Sequence, residues 1–398
     1  MSISLRARTI YPVDGPAIDD GVVTIEGERI VAVGPASEAT GTVRDLGDVA
    51  LLPGFVNAHT HLEFSHLRAP LGRPGMPLLE WLPLAIAARA SHANAVGPAL
   101  AQGLQESLLS GTCAVGEIAT ADASAHPSEC EPPVVTFLEV IGFSRARADS
   151  AFAALQDRLA NVPRTAGAVG LSPHAPYTVS PELLRKLIAL AKQHQLPVAM
   201  HLAECAEELV LLSSGSGPFR ELLEARSMWD PAAIPAGSRP SDYLRMLAEA
   251  PRALVIHGNY LRADEHSFLA EHADRMSLVY CPRTHAYFDH PPYPLADLLE
   301  QGIRVVLGTD SRASNPDLDV RGELRHVVRH LPDVPAEAAL RMATLDAARA
   351  LDCDDDCGSI TVGKLANLVV LREKSNSLAE LLADRDEVAA VWFCGREV

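Results

Sequence analysis

Pro53-Gly54-Phe55-Val56-Asn57-Ala58-His59-Thr60-His61-Leu62-Glu63 carries the first sign of both fold and chemistry. An apolar run, Val49-Ala50-Leu51-Leu52, leads through the Pro-Gly step into Phe55-Val56 and stops at polar residues. A buried parallel strand that meets a cleft reads this way, with its chemistry at the carboxyl end. Residues i and i+2 of a strand share a face, so His59 and His61 can turn both imidazoles toward one ion. With fifteen histidines in the chain an HxH pair also arises by chance, so the pair needs further ligands at strand ends downstream.

Working outward, the centre of the chain alternates apolar runs with helical stretches. After the HxH strand come Thr112–Glu117, Val134–Glu139, Ala168–Ser172, Pro197–His201, Ala253–His257, Ser277–Cys281 and Ile303–Asp310. Helix-like stretches, among them Pro98 to Ser110, Pro181 to Gln195 behind Ser180, and Pro294 to Gln301, lie between them. Eight such units over roughly 300 residues predict an α/β fold, a (β/α)8 TIM-like barrel. A doubly wound open sheet lacks support, since no GxGxxG follows the first strand.

The two ends of the chain read as short strands. Ser4–Ala7, Gly21–Ile25 and Arg29–Val33 are separated by turn residues, and Asn367–Leu371 and Val388–Phe393 repeat the pattern at the far end. Neither end makes a core alone, so together they are expected to form one small β-sandwich domain. The expected division is 1–52 and 353–398 for that domain and 53–352 for the barrel.

The 398 residues suit one large domain and a smaller one. A formal charge of -17 argues against nucleic acid and anionic membranes as partners, because phosphate binding draws on clustered Lys and Arg. The start, Met1 to Arg8, lacks the apolar region of a secretory signal, and no stretch approaches the ~20 apolar residues of a membrane span, so a cytoplasmic protein is expected. Seven scattered cysteines suit reduced thiols. Cys353 and Cys357, flanking three aspartates, read as a surface turn because no second Cys or His pair accompanies them.

His201, His257 and Asp310 are each the first polar group after an apolar run. With His59 and His61, His201 and Asp310 make a three-nitrogen, one-oxygen ligand set that suits zinc or iron, His257 being placed to hydrogen-bond water there or add a ligand. Glu204, three residues past His201, reads as a general acid/base beside that water. The first lysine in the chain is Lys186, beyond the fourth strand, which excludes a lysine-bridged metal pair and leaves one ion.

Asn57-Ala58-His59-Thr60-His61, Ser172-Pro173-His174-Ala175-Pro176-Tyr177, His201-Leu202-Ala203-Glu204, His257-Gly258, Leu307-Gly308-Thr309-Asp310-Ser311 and the tail Gly358–Lys364 resemble the amidohydrolase superfamily over nearly the whole chain. Within it the chain is similar to the single-metal branch of adenosine-type and S-adenosylhomocysteine deaminases, triazine chlorohydrolases and aminofutalosine deaminases, with Ser214–Phe219 and the insertion before Ser241 most like the last. The resemblance implies hydrolytic deamination of a purine nucleoside-like small molecule: metal-bound hydroxide, oriented by Asp310 and His257, attacks the amino-bearing ring carbon, and Glu204 protonates the ring nitrogen and helps ammonia leave. It also implies substrate contacts at His174 and Glu80, and a homodimer; Glu63, Glu139 and Arg145 are further candidates for the pocket wall, and Trp81 reads as core.

Chloride displacement or cyclic-amide hydrolysis at the same site is the alternative reaction. A non-enzymatic scaffold on this fold is the third reading, disfavoured because all the ligands and Glu204 are present. The sequence departs from the family at Cys281-Pro282-Arg283-Thr284-His285, where His285 replaces an Asn-like position, so substrate choice is less specified than metal chemistry.

Overall fold

The computed structural model describes residues 2–120, 132–162, 167–374, 377–385 and 388–398. The first strands, β1 (Ser2–Ile10), β2 (Ile18–Glu26), β3 (Arg29–Pro35), β4 (Thr42–Asp45) and β5 (Val49–Pro53), belong to one sheet. Next come β6 (Phe55–Thr60), β7 (Thr112–Ala119), β8 (Val134–Val140), β9 (Ala168–Pro173), β10 (Val198–Leu202), β11 (Ala253–His257), β12 (Met276–Tyr280) and β13 (Val305–Leu307), which pair in sequence order as a second, all-parallel sheet. The chain closes with β14 (Leu368–Arg372), β15 (Ala390–Phe393) and β16 (Arg396–Glu397), which return to the first sheet through the antiparallel β5–β14 pair.

All eight strands read from the sequence are the barrel strands. Closure between first and last runs through a parallel bridge from Thr60 to Asp310, with the Asp310 N–H donating to the His59 carbonyl at 3.0 Å. Asn57 reinforces it, donating to Thr309 Oγ1 at 2.8 Å and accepting from the Thr309 N–H at 3.1 Å. Gly308 permits the approach, since a Cβ there would sit 2.8 Å from His59 Cβ. Val56, Phe137, Ala199, Ile256, Val279 and Val306, from six different barrel strands, meet in one buried cluster, the filled core of a barrel.

The small domain forms from both ends, and its sheet curls back on itself as a sandwich does. Ile30 N–H donates to Lys364 O and Ala366 N–H to Glu28 O, bringing the β2–β3 turn onto the segment before β14, over a core of Leu5, Ile10, Ile25, Leu51, Leu368 and Trp392. Two details differ from the sequence reading. The run Val49–Leu52 belongs to this sheet and not to the barrel strand: Pro53-Gly54 is a crossing point, where Gly54 N–H donates to Asn367 O and a Cβ on Gly54 would meet Cys113 at 2.8 Å. Strand β4 went unread because all four of its residues are exposed and its sequence has no apolar alternation.

The helices behave locally as their sequences ask. Ser180 Oγ accepts from the Leu183 N–H at 3.2 Å to cap Pro181–His194, with Pro181 in the first turn. Among the described residues no helix is long and apolar enough to cross a membrane.

Candidate active site

The carboxyl ends of β6, β10, β11 and β13 deliver the polar groups to one point. One ligand atom each from His59, His61 and His201 lies within 4.8 Å of the others, all three residues buried. Asp310 Oδ1 stands 3.5 Å from His59 Nε2 and 3.7 Å from His61 Nε2. The His257 ring centroid is 5.5 Å from that of His201 and 5.9 Å from that of His59. The sequence-predicted ligand set and His257 are therefore brought together.

Three of the strand ends leave ordinary backbone space. Ala203, His257 and Asp310 all have positive φ, 53°, 69° and 58°, a region that costs a non-glycine residue of order 1 kcal/mol or more and persists only where surroundings over-determine it. The surroundings here are side chains reaching back to the backbone. Glu208, fully buried at the start of the helix Ala206–Ser214, accepts from the Ala203 N–H at 2.8 Å and the Glu204 N–H at 3.2 Å. Glu117, at the end of β7, accepts from Thr60 Oγ1 at 2.6 Å and from the Leu62 N–H, tying down the chain on both sides of His61. Tyr293 OH donates to the His257 carbonyl at 3.1 Å.

The electrostatics follow from burial. Desolvation, then the neighbouring imidazoles, lowers His61 and His201 well below the usual histidine range, and desolvation does the same to His257, so the rings are neutral and can coordinate. His201 Nδ1 donates to the His174 carbonyl at 3.0 Å, which leaves its Nε2 lone pair facing the cluster. Burial alone would raise Asp310, but the imidazoles around it hold its carboxylate below the ordinary range, and Ser314 Oγ donates to its Oδ2 at 2.9 Å. His59 Nδ1 and Nε2 and His61 Nδ1 are buried without hydrogen-bond partners. Buried imidazole nitrogens without partners, gathered beside one carboxylate, fit the donor set of an N3O divalent-metal site.

Glu204 is the opposite case to Asp310. Desolvation, then the charges of Asp310 and Glu208, pushes its carboxyl up to about 8, so it carries a proton at neutral pH. Its Oε1 is 3.5 Å from His257 Nε2, and Tyr177 OH donates to its Oε2 at 3.4 Å.

A cavity of about 340 Å³ opens on these groups. Phe64, Trp81, Phe219 and Phe288 supply aromatic walls, and Arg89, Arg147 and Arg226 line it as well. His174 lies on the wall; desolvation lowers it to about 3, so its ring is neutral, with Nδ1 on Thr178 Oγ1 at 2.8 Å.

Two of the substrate contacts expected from the sequence are not on this wall. Glu80 is exposed on the helix Leu78–Ser91, whose cavity face is Leu78, Trp81, Leu82, Ala85, Ile86 and Arg89. Arg145 is exposed at the start of Arg145–Ala160, its backbone N–H donating to Asp230 at 3.2 Å; Arg147, two residues on and so on another face, lines the cavity instead. Glu63 pairs with Arg89 at 2.8 Å, and Glu139 is buried 3.9 Å from His174 Nε2. Trp81 is both core and wall, its indole N–H donating to Ala313 O at 3.2 Å. His285 packs its ring against Tyr280 and Tyr293, off the wall.

Sequence reasoning missed Tyr177, Glu117, Glu208 and the three arginines. Arg89 had a usable signal, because Leu78, Trp81, Leu82, Ala85, Ile86 and Arg89 recur at helical spacing and end in a cation.

Comparisons with known proteins agree with this geometry. The Amidohydrolase family matches over residues 50–398. The chain is 30% identical to a 5-methylthioadenosine/S-adenosylhomocysteine deaminase of Moorella thermoacetica, over 93% of this chain and 85% of that one. It is 28% identical to an aminodeoxyfutalosine deaminase of Deinococcus radiodurans, over 87% and 85% of the two chains. The solved structure of an adenosine deaminase from Xanthomonas campestris, with bound zinc, superposes with a TM-score of 0.79 at 27% identity, covering 99% of this chain and 92% of that one. A barrel whose strand ends gather three histidines, an aspartate and a protonated glutamate, matched over most of its length, belongs to the amidohydrolase family.

Proposed function

We propose that this chain is a metal-dependent hydrolytic deaminase of a purine nucleoside-like compound, with an aminofutalosine-type nucleoside ahead of adenosine itself. The observation that carries the reading is Glu204, a buried carboxyl that keeps its proton near neutral pH on the wall of the cavity and beside His257. Deaminating an aminopurine needs such a donor, since the ring nitrogen must gain a proton as the neighbouring carbon is attacked.

His59, His61, His201 and Asp310 would hold the divalent ion, zinc or iron, which when bound supplies the Lewis acidity that makes water nucleophilic at neutral pH. Glu204 gives its proton to the ring nitrogen beside the amino-bearing carbon. It then passes a proton taken from the attacking water to the departing amine. Tyr177 OH keeps Oε2 of Glu204 occupied, so that Oε1 is the oxygen turned to His257 and the reacting centre. His174, neutral, offers a ring edge to the substrate base, and the aromatic walls exclude water around it.

The wall also supports the choice of nucleoside. Arg89, Arg147 and Arg226 beside the aromatic and aliphatic walls of the cavity favour a nucleoside extended by an apolar group that ends in an anion, as opposed to one ending in a hydroxyl.

Metal-loaded protein incubated with aminofutalosine, adenosine, S-adenosylhomocysteine, methylthioadenosine and guanine is expected to release ammonia from at least one, fastest from an anionic member. Glu204→Gln is expected to lose that release while keeping one equivalent of metal. Silence across the panel from protein with one metal equivalent would overturn the purine reading in favour of chloride displacement or ring opening.

A further inference from the structure

We propose that Cys353 and Cys357 form an oxidisable dithiol, a modification site that a hydroperoxide converts into an intrachain disulfide. Their sulfurs are 3.3 Å apart. The backbone already makes the turn that brings them together: Cys357 N–H donates to Cys353 O at 3.1 Å, and Cys357 Sγ lies 3.2 Å from the same oxygen. Residues four apart on such a turn stand about 5–6 Å apart at Cβ. A disulfide wants roughly 3.5–4.5 Å, so closure asks the turn to tighten by about 1–2 Å. The residues that must move, Asp354, Asp355 and Asp356, belong to no helix or strand, and the last two are exposed.

The surroundings suit reaction as well as geometry. Cys113, near the start of β7, belongs to the same buried cluster as Cys357, and Lys364 Nζ donates to the Cys357 carbonyl at 3.0 Å. The Cys113 and Cys353 thiols outweigh burial, and the Lys364 ammonium adds to them, to favour the thiolate at Cys357, the nucleophile in such chemistry. Cys353 is the partly exposed member of the pair, so a small oxidant arrives on its side.

The step balances with one hydroperoxide. The Cys357 sulfur attacks the peroxide oxygen, the O–O bond breaks, and a sulfenic acid forms with release of water, or of an alcohol from an organic peroxide. The Cys353 sulfur then attacks the Cys357 sulfur, the S–O bond breaks, and a second product water leaves with the thiol proton. Two thiols are oxidised and one peroxide is reduced. The turn lies between the barrel and β14, away from the carboxyl ends of the strands, so the proposal stands independently of the deaminase reading.

The test is hydrogen peroxide titration of the reduced full-length protein, followed by alkylation, intact mass and peptide mapping. The expected product is about 2 Da lighter, with the bond inside the peptide that holds both cysteines, and is reversed by dithiothreitol. Cys113→Ser is expected to keep it and Cys357→Ser to lose it, while Cys353→Ser should stop at a dimedone-reactive species about 16 Da heavier. A bond from Cys113 to Cys357, oxidation only to irreversible single-site acids, or protection of all three thiols by a tightly held soft metal ion would each overturn the proposal.

Discussion

Arg283, Asp317 and Glu323 form a charged cluster around the fully buried Glu323 carboxylate, on segments that follow β12 and β13 as Asp310 does. Arg283 Nε donates to Glu323 Oε1 at 2.5 Å, its backbone N–H to Oε2 at 2.9 Å and Nη2 to Asp317 at 2.6 Å, while Asn315 adds a further bond to Glu323 at 2.6 Å. This cluster closes on itself. The histidine cluster does not: His59 Nδ1 and Nε2 and His61 Nδ1 lack partners, Ala203, His257 and Asp310 have positive φ, and its two carboxyls are pushed to opposite protonation states. Both are ionic and built on buried carboxylates, and unfinished bonding separates a site for chemistry from a brace for a loop.

The contrast can be broken most forcefully at its centre. Glu204→Gln is expected to lower deamination by about 10²–10⁴-fold with metal content unchanged, read as ammonia release against metal analysis. Loss of metal in that variant would make Glu204 part of the ligand frame instead of a proton carrier. The brace should respond the other way. Glu323→Ala removes the buried carboxylate that accepts from Arg283 and Asn315, leaving Arg283 only Asp317 and the Asp319 carbonyl, and is expected to cost about 1.5–3 kcal/mol of stability in urea unfolding, while folded protein still binds one metal equivalent.

A third test uses pH. Glu204 holds its proton to about 8 in the folded chain against an ordinary 4.5. Between those values the folded state binds a proton that the unfolded state has released, so stability falls as pH rises through the window. In metal-free protein, Glu204→Gln should become increasingly more stable than the parent from about pH 5 to pH 8, by a few kcal/mol at most, with the gap level above that. A gap that stays flat across the window would place an ionised carboxylate at Glu204. The smallest effect belongs to the wall: Arg89→Met is expected to raise KM about tenfold for an anionic nucleoside, leave kcat nearly unchanged and spare a neutral one.

Much of this was legible in the linear chain because it rests on local pattern. Apolar runs ending in His59, His201, His257 and Asp310 marked the strand ends, since a parallel strand buried on both faces has no other place for a polar group. The barrel followed from the alternation of runs and helices. What the chain alone could not state was direction. Arg145 and Arg147 differ only by helical phase, and Glu80 and Trp81 by one step, yet Arg147 and Trp81 line the cavity and Arg145 and Glu80 do not. The resemblance that suggested Glu80 carried a residue type into register without its face.

Sequence by itself determined the order of strands and pointed to the histidines and carboxylates at their ends, because strand periodicity and residue chemistry are local properties. Tertiary structure alone decided that Glu204 is protonated and Asp310 is not, since both are carboxyls on strand-end loops and differ only in which charges burial brings within a few ångströms. It also decided the break at Gly54 between two sheets, the bracing of Ala203 and Glu204 by Glu208, and the meeting of Cys113 with Cys357 across 244 positions of chain, counted from 113 to 357. Contacts between segments that far apart depend on the closed fold, and no window of sequence contains them.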